Sequence, residues 1–200
     1  KIGVIRTFVN DVNEQETQNL KSNYILFFGR FSHEKGVDIL INAYYRSKLY
    51  DAGIRLILVG GKMSDIREVG ADVLDKVGSH MIVHDFLPEE RLNPLIKDCM
   101  YTVVPSRWYE NLPNSILESY KYFKPVICSD GGRLPEAVEH GSTGFHFKNE
   151  NIGDLSEKLR MLALDSEARM RMKKNISRKL ATYSKDSHYK KLITILANGS

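Results

Sequence analysis

Six short apolar segments recur along this 200-residue chain, and stretches with helical spacing separate them. Each segment is three to six residues long, which is typical of buried strands. Strands that alternate with helices predict βαβ units with right-handed crossovers, and therefore a parallel sheet that is covered on both faces. The predicted strands are Tyr24–Phe28, Ile54–Val59, Met81–Val83, Tyr101–Val104, Val126–Cys128 and Gly144–Phe147.

The stretches between these strands favour helices. We therefore predict an α/β protein with a Rossmann-like doubly wound parallel sheet of about six strands, helices on both faces and a C-terminal helical extension. In that extension the helical pattern runs to about Leu196 and is broken near Asp165 and near Tyr183. The predicted helices are Val37–Tyr50, Asp65–Val77, Glu89–Lys97, Asn114–Phe123, Leu134–His140 and the stretch from Ile152 onward.

Length and composition limit the chain to one sizeable core in a globular protein. Hydrophobic residues make up 42% and charged residues 27%, and no run of 18 apolar residues exists. We therefore expect no membrane span, and the first residues do not look like a signal peptide. Cys99 and Cys128 both lie at the edges of predicted strands. They are expected to be buried reduced thiols, as in a cytosolic protein.

The net charge of +4 is unevenly distributed. Residues 165–191 hold nine Lys or Arg against three Asp or Glu. A solvated basic helix face accounts for this excess, and so does contact with an anionic membrane surface or an acidic neighbouring domain. Because no nucleic-acid motif accompanies the basic residues, we predict no nucleic-acid partner.

Several loops are expected at one edge of the sheet, because the carboxyl ends of parallel strands meet there. In the loop after the first strand, Arg30 and Lys35 are placed to clamp a diphosphate, although cations in a loop are more often plain surface charges. After the second strand, Gly60 and Gly61 allow close backbone approach or a simple tight turn. After the third, Phe86 can meet a nucleobase, although its ring is expected to pack in the core.

The fourth loop carries two carboxylates, Glu110 before a predicted helix and Glu118 about one and a half turns into it. A helix N-terminus offers N–H groups to an anion. A carboxylate accepts hydrogen bonds from a vicinal diol such as that of ribose. Favourable charge near the start of a helix is the alternative role for Glu118. A fifth loop, Ser129–Glu136, adds a glycine pair that suits close approach to a ligand.

These loops form an ordered set of motifs, listed at the end of this paragraph. In this order and spacing they resemble the nucleotide-sugar-binding half of glycosyltransferase family 4, the retaining enzymes of the GT-B architecture. The resemblance covers roughly residues 24–147. The motifs are Gly29-Arg30 with Glu34-Lys35-Gly36, Leu58-Val59-Gly60, Val104-Pro105-Ser106, Glu110-x7-Glu118, and Ser129-Asp130-Gly131-Gly132 with Pro135-Glu136.

The resemblance implies a role for each matching position. Arg30 and Lys35 would bind the donor's diphosphate, Glu118 the ribose and Glu110 the hydroxyls of the transferred sugar. Backbone N–H groups of the segment between the two glutamates would meet the sugar and phosphate, and the base would lie near Phe86. The implied catalytic residues are Glu110, Arg30 and Lys35, and the implied donor-binding residues are Gly29, Phe86, Leu87, Asn111, Leu112, Pro113, Asn114, Ser115 and Glu118.

The resemblance also implies the reaction. A hexose would pass from a UDP-sugar or GDP-sugar to a saccharide or lipid-linked acceptor, with retention. The chain contains no Asp-x-Asp pair, so we expect no cofactor and no metal, with Arg30 and Lys35 in the metal's place. We expect a cytoplasmic protein, with the inner membrane face as an alternative location, that serves polysaccharide synthesis.

The expected domains follow from the same resemblance, since a whole GT-B enzyme has two such halves. Residues 1–23 would be an interdomain connector or edge strand, 24–182 the donor-binding domain, and 183–200 a C-terminal helix and tail. Without the N-terminal half, which would hold the acceptor, the chain should be inactive.

Two other functions are weighed against this one. A non-catalytic nucleotide-binding or protein-interaction module on a transferase scaffold is the main alternative. The presence of Arg30, Lys35, Glu110 and Glu118 argues against it, because an abandoned site need not keep them. An NAD-dependent dehydrogenase lacks support, since the glycine fingerprint is missing.

Overall fold

A computed structural model of the chain describes residues 23–68, 78–108 and 114–181. The predicted N-terminal connector and C-terminal tail lie outside these ranges, apart from Asn23. The same holds for the end of the helix predicted at Asp65–Val77 and for the break predicted near Tyr183.

The described strands form one six-stranded sheet in which every pairing is parallel, in the order β3-β2-β1-β4-β5-β6. The predicted sheet is therefore confirmed. The order reverses between β1 and β4, the point at which open sheets of this kind leave a crevice for ligands. The strands are β1 (Tyr24–Phe28), β2 (Arg55–Val59), β3 (Met81–His84), β4 (Thr102–Val104), β5 (Val126–Ser129) and β6 (Gly144–Phe147).

Helices cover both faces of the sheet. Along β1, Ile25 and Phe27 belong to one core cluster and Tyr24 and Leu26 to another, because successive side chains of a strand point to opposite faces. The helices are α1 (Val37–Ser47), α2 (Met63–Glu68), α3 (Glu89–Asp98), α4 (Asn114–Lys121), α5 (Leu134–Ala137), α6 (Ile152–Leu164) and α7 (Ser166–Ala181), and short 3-10 turns span His33–Lys35, Leu49–Ala52 and Gly78–His80.

Three helices end earlier than the spacing of apolar residues predicts, and one of them, α4, stops at Lys121 rather than Phe123. α1 stops at Ser47 rather than Tyr50, because Lys48 adopts a left-handed conformation at φ 53° and its N–H donates to the carbonyl of Tyr45. α5 stops at Ala137, since the next residue, Val138, is extended. A left-handed residue or a switch to extended backbone ends a helix whatever the apolar pattern beyond it.

The predicted break near Asp165 is confirmed. Asp165 separates α6 from α7, and its Oδ1 accepts the N–H of Ala168 at 2.7 Å. This bond satisfies one of the N–H groups that the first turn of α7 would otherwise leave unpaired. The side of α7 that carries Met172 and Ile176 is buried, whereas Arg171, Lys174 and Arg178 are exposed. Up to residue 181, the basic segment therefore presents a solvated cationic face.

Both cysteines are buried and unbridged, as predicted. Burial raises the pKa of Cys99 to about 12 and also raises the pKa of Cys128. Both thiols are therefore protonated and unreactive in the folded protein.

No helix in the described part of the chain combines the length and apolar character that crossing a bilayer requires.

Candidate functional site

A cavity of about 440 Å³ opens between the carboxyl ends of β1 and β4, where the strand order reverses. Its volume falls within the range of small-molecule sites. Its walls come from the ends of both strands, the turn before α1 and the first turns of α4. The lining residues are Phe27, Phe28, Gly29, Lys35, Val103, Val104, Pro105, Ser106, Asn114, Ser115 and Glu118.

Two glycines bring the loops around this cavity into close contact. Gly36 has φ 66°, and a Cβ atom there would lie 2.1 Å from the carbonyl oxygen of Pro105. Gly60 has φ 122°, and a Cβ there would lie 2.3 Å from the carbonyl oxygen of Gly29. Only glycine combines these backbone angles with such close approach. The Gly60 loop therefore does allow close backbone approach, and the backbone it approaches is the loop after β1.

The two predicted diphosphate-binding cations are placed differently. Lys35 is partly buried and lines the cavity. Arg30 lies on the same loop but is exposed and is outside the cavity lining. Gly29, the third predicted residue of this loop, forms part of the wall. The structure thus brings Lys35 and Gly29 together at the crevice and leaves Arg30 at the surface beside it.

Asn114, Ser115 and Glu118 line the opposite wall from the first turns of α4. Burial raises the pKa of the Glu118 carboxyl, and the nearby charge of Glu89 adds to this effect, whereas Lys121 opposes it. In the described ranges no group donates a hydrogen bond to this carboxylate. A half-buried carboxylate in this state can accept hydrogen bonds from a ligand.

The loop after β3 carries two neighbouring residues, Phe86 and Leu87, that are predicted to lie near the base, and the structure places them in different environments. Phe86 is 83% exposed, so the expected packing of its ring in the core is wrong. Leu87 is 9% exposed and joins the cluster that packs under α3. Leu87 therefore lies in the core and Phe86 at the surface. Neither residue lines the cavity.

Sequence reasoning missed Arg107, whose side chain connects the loop after β4 to the start of α1. Its guanidinium makes a two-pronged ion pair with Asp38, with N–O distances of 2.8 and 2.6 Å. These hydrogen bonds raise the pKa of Arg107 above its usual value. A lone arginine after Pro-Ser carries no local signal of its partner, because Asp38 lies in a distant part of the chain.

The fifth predicted loop does not line the cavity, and its residues instead help to hold the loop after β4 in place. Ser129 Oγ donates to the carbonyl oxygen of Ser106 at 2.6 Å. Asp130 Oδ1 accepts the N–H of Asn149, whose Nδ2 donates to the carbonyl oxygen of Arg107. Glu136 pairs with Arg133 at the surface and is absent from the cavity lining.

Four predicted site residues fall in an undescribed range, namely Glu110, Asn111, Leu112 and Pro113. Within the described ranges no three or more His, Cys, Asp or Glu side chains are grouped so as to hold a metal ion. The absence of a metal from the reaction stays a prediction.

Comparison with known proteins places this geometry in context. A family model described as "Glycosyl transferases group 1" matches residues 9–179. An uncharacterized glycosyltransferase of Methanocaldococcus jannaschii is 32% identical in an alignment of 176 residues, and this alignment covers 83% of this chain and 46% of that protein. The N,N'-diacetylbacillosaminyl-diphospho-undecaprenol alpha-1,3-N-acetylgalactosaminyltransferase of Campylobacter jejuni is 26% identical over 83% of this chain and 42% of its own length. The chain therefore spans less than half the length of these two relatives.

Solved structures share the fold. Anabaena HepE in complex with UDP and glucose superposes with a TM-score of 0.76 at 18% identity, over 96% of this chain and 56% of that one. The catalytic domain of cholesterol-alpha-glucosyltransferase from Helicobacter pylori gives a TM-score of 0.69 at 22% identity, over 82% of this chain and 100% of that one. At these identities the likeness shows the fold alone.

Proposed function

Because this chain belongs to the glycosyl transferases group 1 family, we propose that it is the donor-binding domain of a glycosyltransferase whose donor is a nucleoside-diphosphate sugar. The observation that carries the proposal is that Lys35, the start of α4 and Glu118 line one cavity. A cation and helix-terminal N–H groups suit a diphosphate, and a carboxylate suits a ribose diol.

The charged groups of the site support a role for each residue in the proposed sugar transfer. When the sugar leaves, negative charge develops on the diphosphate, and Lys35 together with the N–H groups of α4 stabilises it. Arg30, exposed on the same loop, supplies a second cation, so the step proceeds without a metal. Glu110 holds hydroxyls of the transferred hexose, which is delivered with retention. The acceptor binds to the other half of the protein, so this domain alone is inactive.

The names of relatives support the substrate classes. HepE was solved with UDP and glucose, which favours a UDP-sugar over a GDP-sugar as the donor here. The Campylobacter enzyme is named for a diphospho-undecaprenol saccharide and the Helicobacter enzyme for cholesterol. We therefore propose a lipid-linked or saccharide acceptor, polysaccharide synthesis as the setting, and a cytoplasmic protein whose exposed basic face on α7 allows contact with an anionic inner membrane face.

Titration calorimetry with this chain tests the donor site. In buffer with EDTA, UDP, GDP and their sugar conjugates are titrated, and at least one should bind with a dissociation constant between the micromolar and millimolar range. Lys35→Ala should weaken binding about tenfold, the value of one charge-assisted hydrogen bond. Arg30→Ala should have a smaller effect, since Arg30 is exposed.

The matched control is Lys174→Ala, which removes an exposed lysine from α7 and should leave affinity unchanged. Absence of binding by every nucleotide would refute the donor site. Unaltered affinity in Lys35→Ala would refute its role. Turnover assays of the full-length protein separate a transferase from a non-catalytic nucleotide-binding module.

Phe86→Ala tests whether the exposed ring stacks on the base. UDP binding should weaken about tenfold, in line with 1–3 kcal/mol for stacking of one base on an aromatic ring. Inorganic pyrophosphate, which has no base, should bind the variant and the wild type equally. The melting temperature should stay constant, because the ring is 83% exposed. Leu164→Ala, which removes another exposed apolar side chain, is the control. Equal weakening of UDP and pyrophosphate would argue against stacking.

A further inference from the structure

Arg107 and Asp38 lie just outside the cavity, at the junction between its two walls. We infer that they form a positioning pair that holds Lys35 at the cavity and thereby sets the affinity for a diphosphate; this inference rests on the proposed function. Neither residue lines the cavity, so the pair acts through the turn that carries Lys35.

The ion pair has the geometry of a rigid connection. Arg107 Nη1 and Nη2 donate to Asp38 Oδ1 and Oδ2 at 2.8 and 2.6 Å. The side chains are 12% and 13% exposed, respectively. Parallel hydrogen bonds between an arginine and a carboxylate fix orientation as well as distance, which a lysine at the same position does not do.

Arg107 also holds the turn directly. Its Nη1 donates to the carbonyl oxygen of His33 at 2.6 Å, and its backbone N–H donates to the carbonyl oxygen of Glu34 at 2.8 Å. Ser106 Oγ donates to the same Glu34 oxygen at 3.1 Å. Because His33 and Glu34 immediately precede Lys35, the backbone that carries the lysine is held by the loop after β4.

Contacts on its other side hold Arg107 itself. Its Nε donates to Glu150 Oε1 at 2.8 Å. Its carbonyl oxygen accepts from Asn149 Nδ2 at 3.2 Å. The segment before it is fixed by Ser129, whose Oγ donates to the carbonyl oxygen of Ser106. Arg107 therefore connects the Lys35 turn to the β5–β6 side of the sheet, and the position of the lysine relative to α4 depends on it.

Direct binding of the diphosphate by Arg107 does not fit this arrangement. A guanidinium has five N–H groups. Nε donates to Glu150, Nη1 to Asp38 and His33, and Nη2 to Asp38. Among the described residues, these contacts leave a single N–H, on Nη2. A phosphate-binding arginine typically presents a pair of N–H groups, and here that pair is taken by Asp38.

A double-mutant cycle on nucleotide affinity tests the inference. Arg107→Lys is measured in the wild-type chain and in Lys35→Ala, with UDP or GDP as the probe, whichever the wild type binds more tightly. Arg107→Lys keeps the positive charge but loses the two parallel N–H groups that bind the Asp38 carboxylate. It should weaken binding about tenfold in the wild-type chain, since a displaced Lys35 forfeits most of one charge-assisted hydrogen bond. In the Lys35→Ala background it should have almost no further effect.

Hydrogen exchange supplies a second measurement that needs no ligand. The amides of Lys35 and Gly36 donate to the carbonyl oxygens of Ser32 and His33, and they should exchange faster in Arg107→Lys than in the wild type. Arg171→Lys, which alters an exposed arginine of α7 that pairs with Asp165 and Glu167, is the matched control and should change neither measurement. If Arg107→Lys does not fold, Asp38→Asn takes its place, because it is isosteric and also removes the ion pair.

The possible outcomes distinguish failure of this inference from failure of the proposed function. Equal weakening by Arg107→Lys with and without Lys35 would show that Arg107 does not act through Lys35, and unchanged affinity would show that the pair does not position it. Either result overturns the inference and leaves the donor site intact. A wild-type chain that binds neither UDP nor GDP overturns the proposed function and this inference with it.

Discussion

Gly36→Ala is expected to lower the free energy of unfolding by about 3 kcal/mol, the sum of a left-handed backbone cost and an overpacking cost. Gly36 has φ 66°, and an added Cβ would meet the carbonyl oxygen of Pro105 at 2.1 Å and its carbon at 3.1 Å. Because the obstructing atoms are backbone, no side-chain rotation relieves the clash. The loop after β4 and the Lys35 turn must therefore separate, and nucleotide affinity should fall as well.

Gly53→Ala is the matched control for this prediction. Gly53 has φ 70°, and nothing lies within 4 Å of an added Cβ. The variant should lose only the backbone cost of about 1–2 kcal/mol. Urea denaturation at one temperature measures both variants, and the excess loss in Gly36→Ala reports the clash. Equal losses in the two variants would mean that the two loops tolerate the extra carbon.

Glu118→Gln is expected to weaken nucleotide binding about thirtyfold while it stabilises the ligand-free protein. Two hydrogen bonds to ribose would each lose roughly 1 kcal/mol when the acceptor's charge is removed. The stability effect has the opposite sign. The pKa of Glu118 is raised in the folded protein, chiefly by burial. Ionisation above that pKa therefore costs folding free energy, and this cost disappears below the unfolded-state pKa.

The pH dependence distinguishes these effects. At neutral pH, Glu118→Gln should unfold at a higher urea concentration than the wild type, and the two should converge as the pH falls below the unfolded-state pKa of about 4.5. Wild-type affinity should decline more steeply with acidification than that of the variant, since only the wild type gains a proton at this site. Greater stability of the wild type at neutral pH would contradict the assigned cost of burying this carboxylate.

The strands could be predicted from the sequence because they coincide with local apolar runs, and their parallel pairing because helical stretches alternate with them. β1 agrees with the predicted Tyr24–Phe28, and the other strands agree to within one residue at either end. The end of α1 could not be predicted, since nothing in the apolar spacing marks Lys48 as left-handed. The position of the Phe86 ring could not be predicted either, because an irregular loop has no periodicity that shows whether a side chain points inward.

The cavity was partly predictable for a similar reason. Lys35, Ser115 and Glu118 each follow a predicted strand, so sheet topology alone brings them to one edge. The partnership of Arg107 with Asp38 depends on the adjacency of β1 and β4 and on exact side-chain directions. Those directions arise only in the packed structure, and no spacing along the chain encodes them.

The pairing of β1 with β4, through Leu26 and Thr102, also couples ligand binding at the cavity to the folding equilibrium of the domain. The walls that carry Lys35 and Glu118 come together only when this pairing has formed, so the unfolded chain offers no site. By mass action, a ligand at a hundred times its dissociation constant would stabilise the fold by about 2.7 kcal/mol. The melting temperature of this domain is therefore expected to rise with nucleotide concentration.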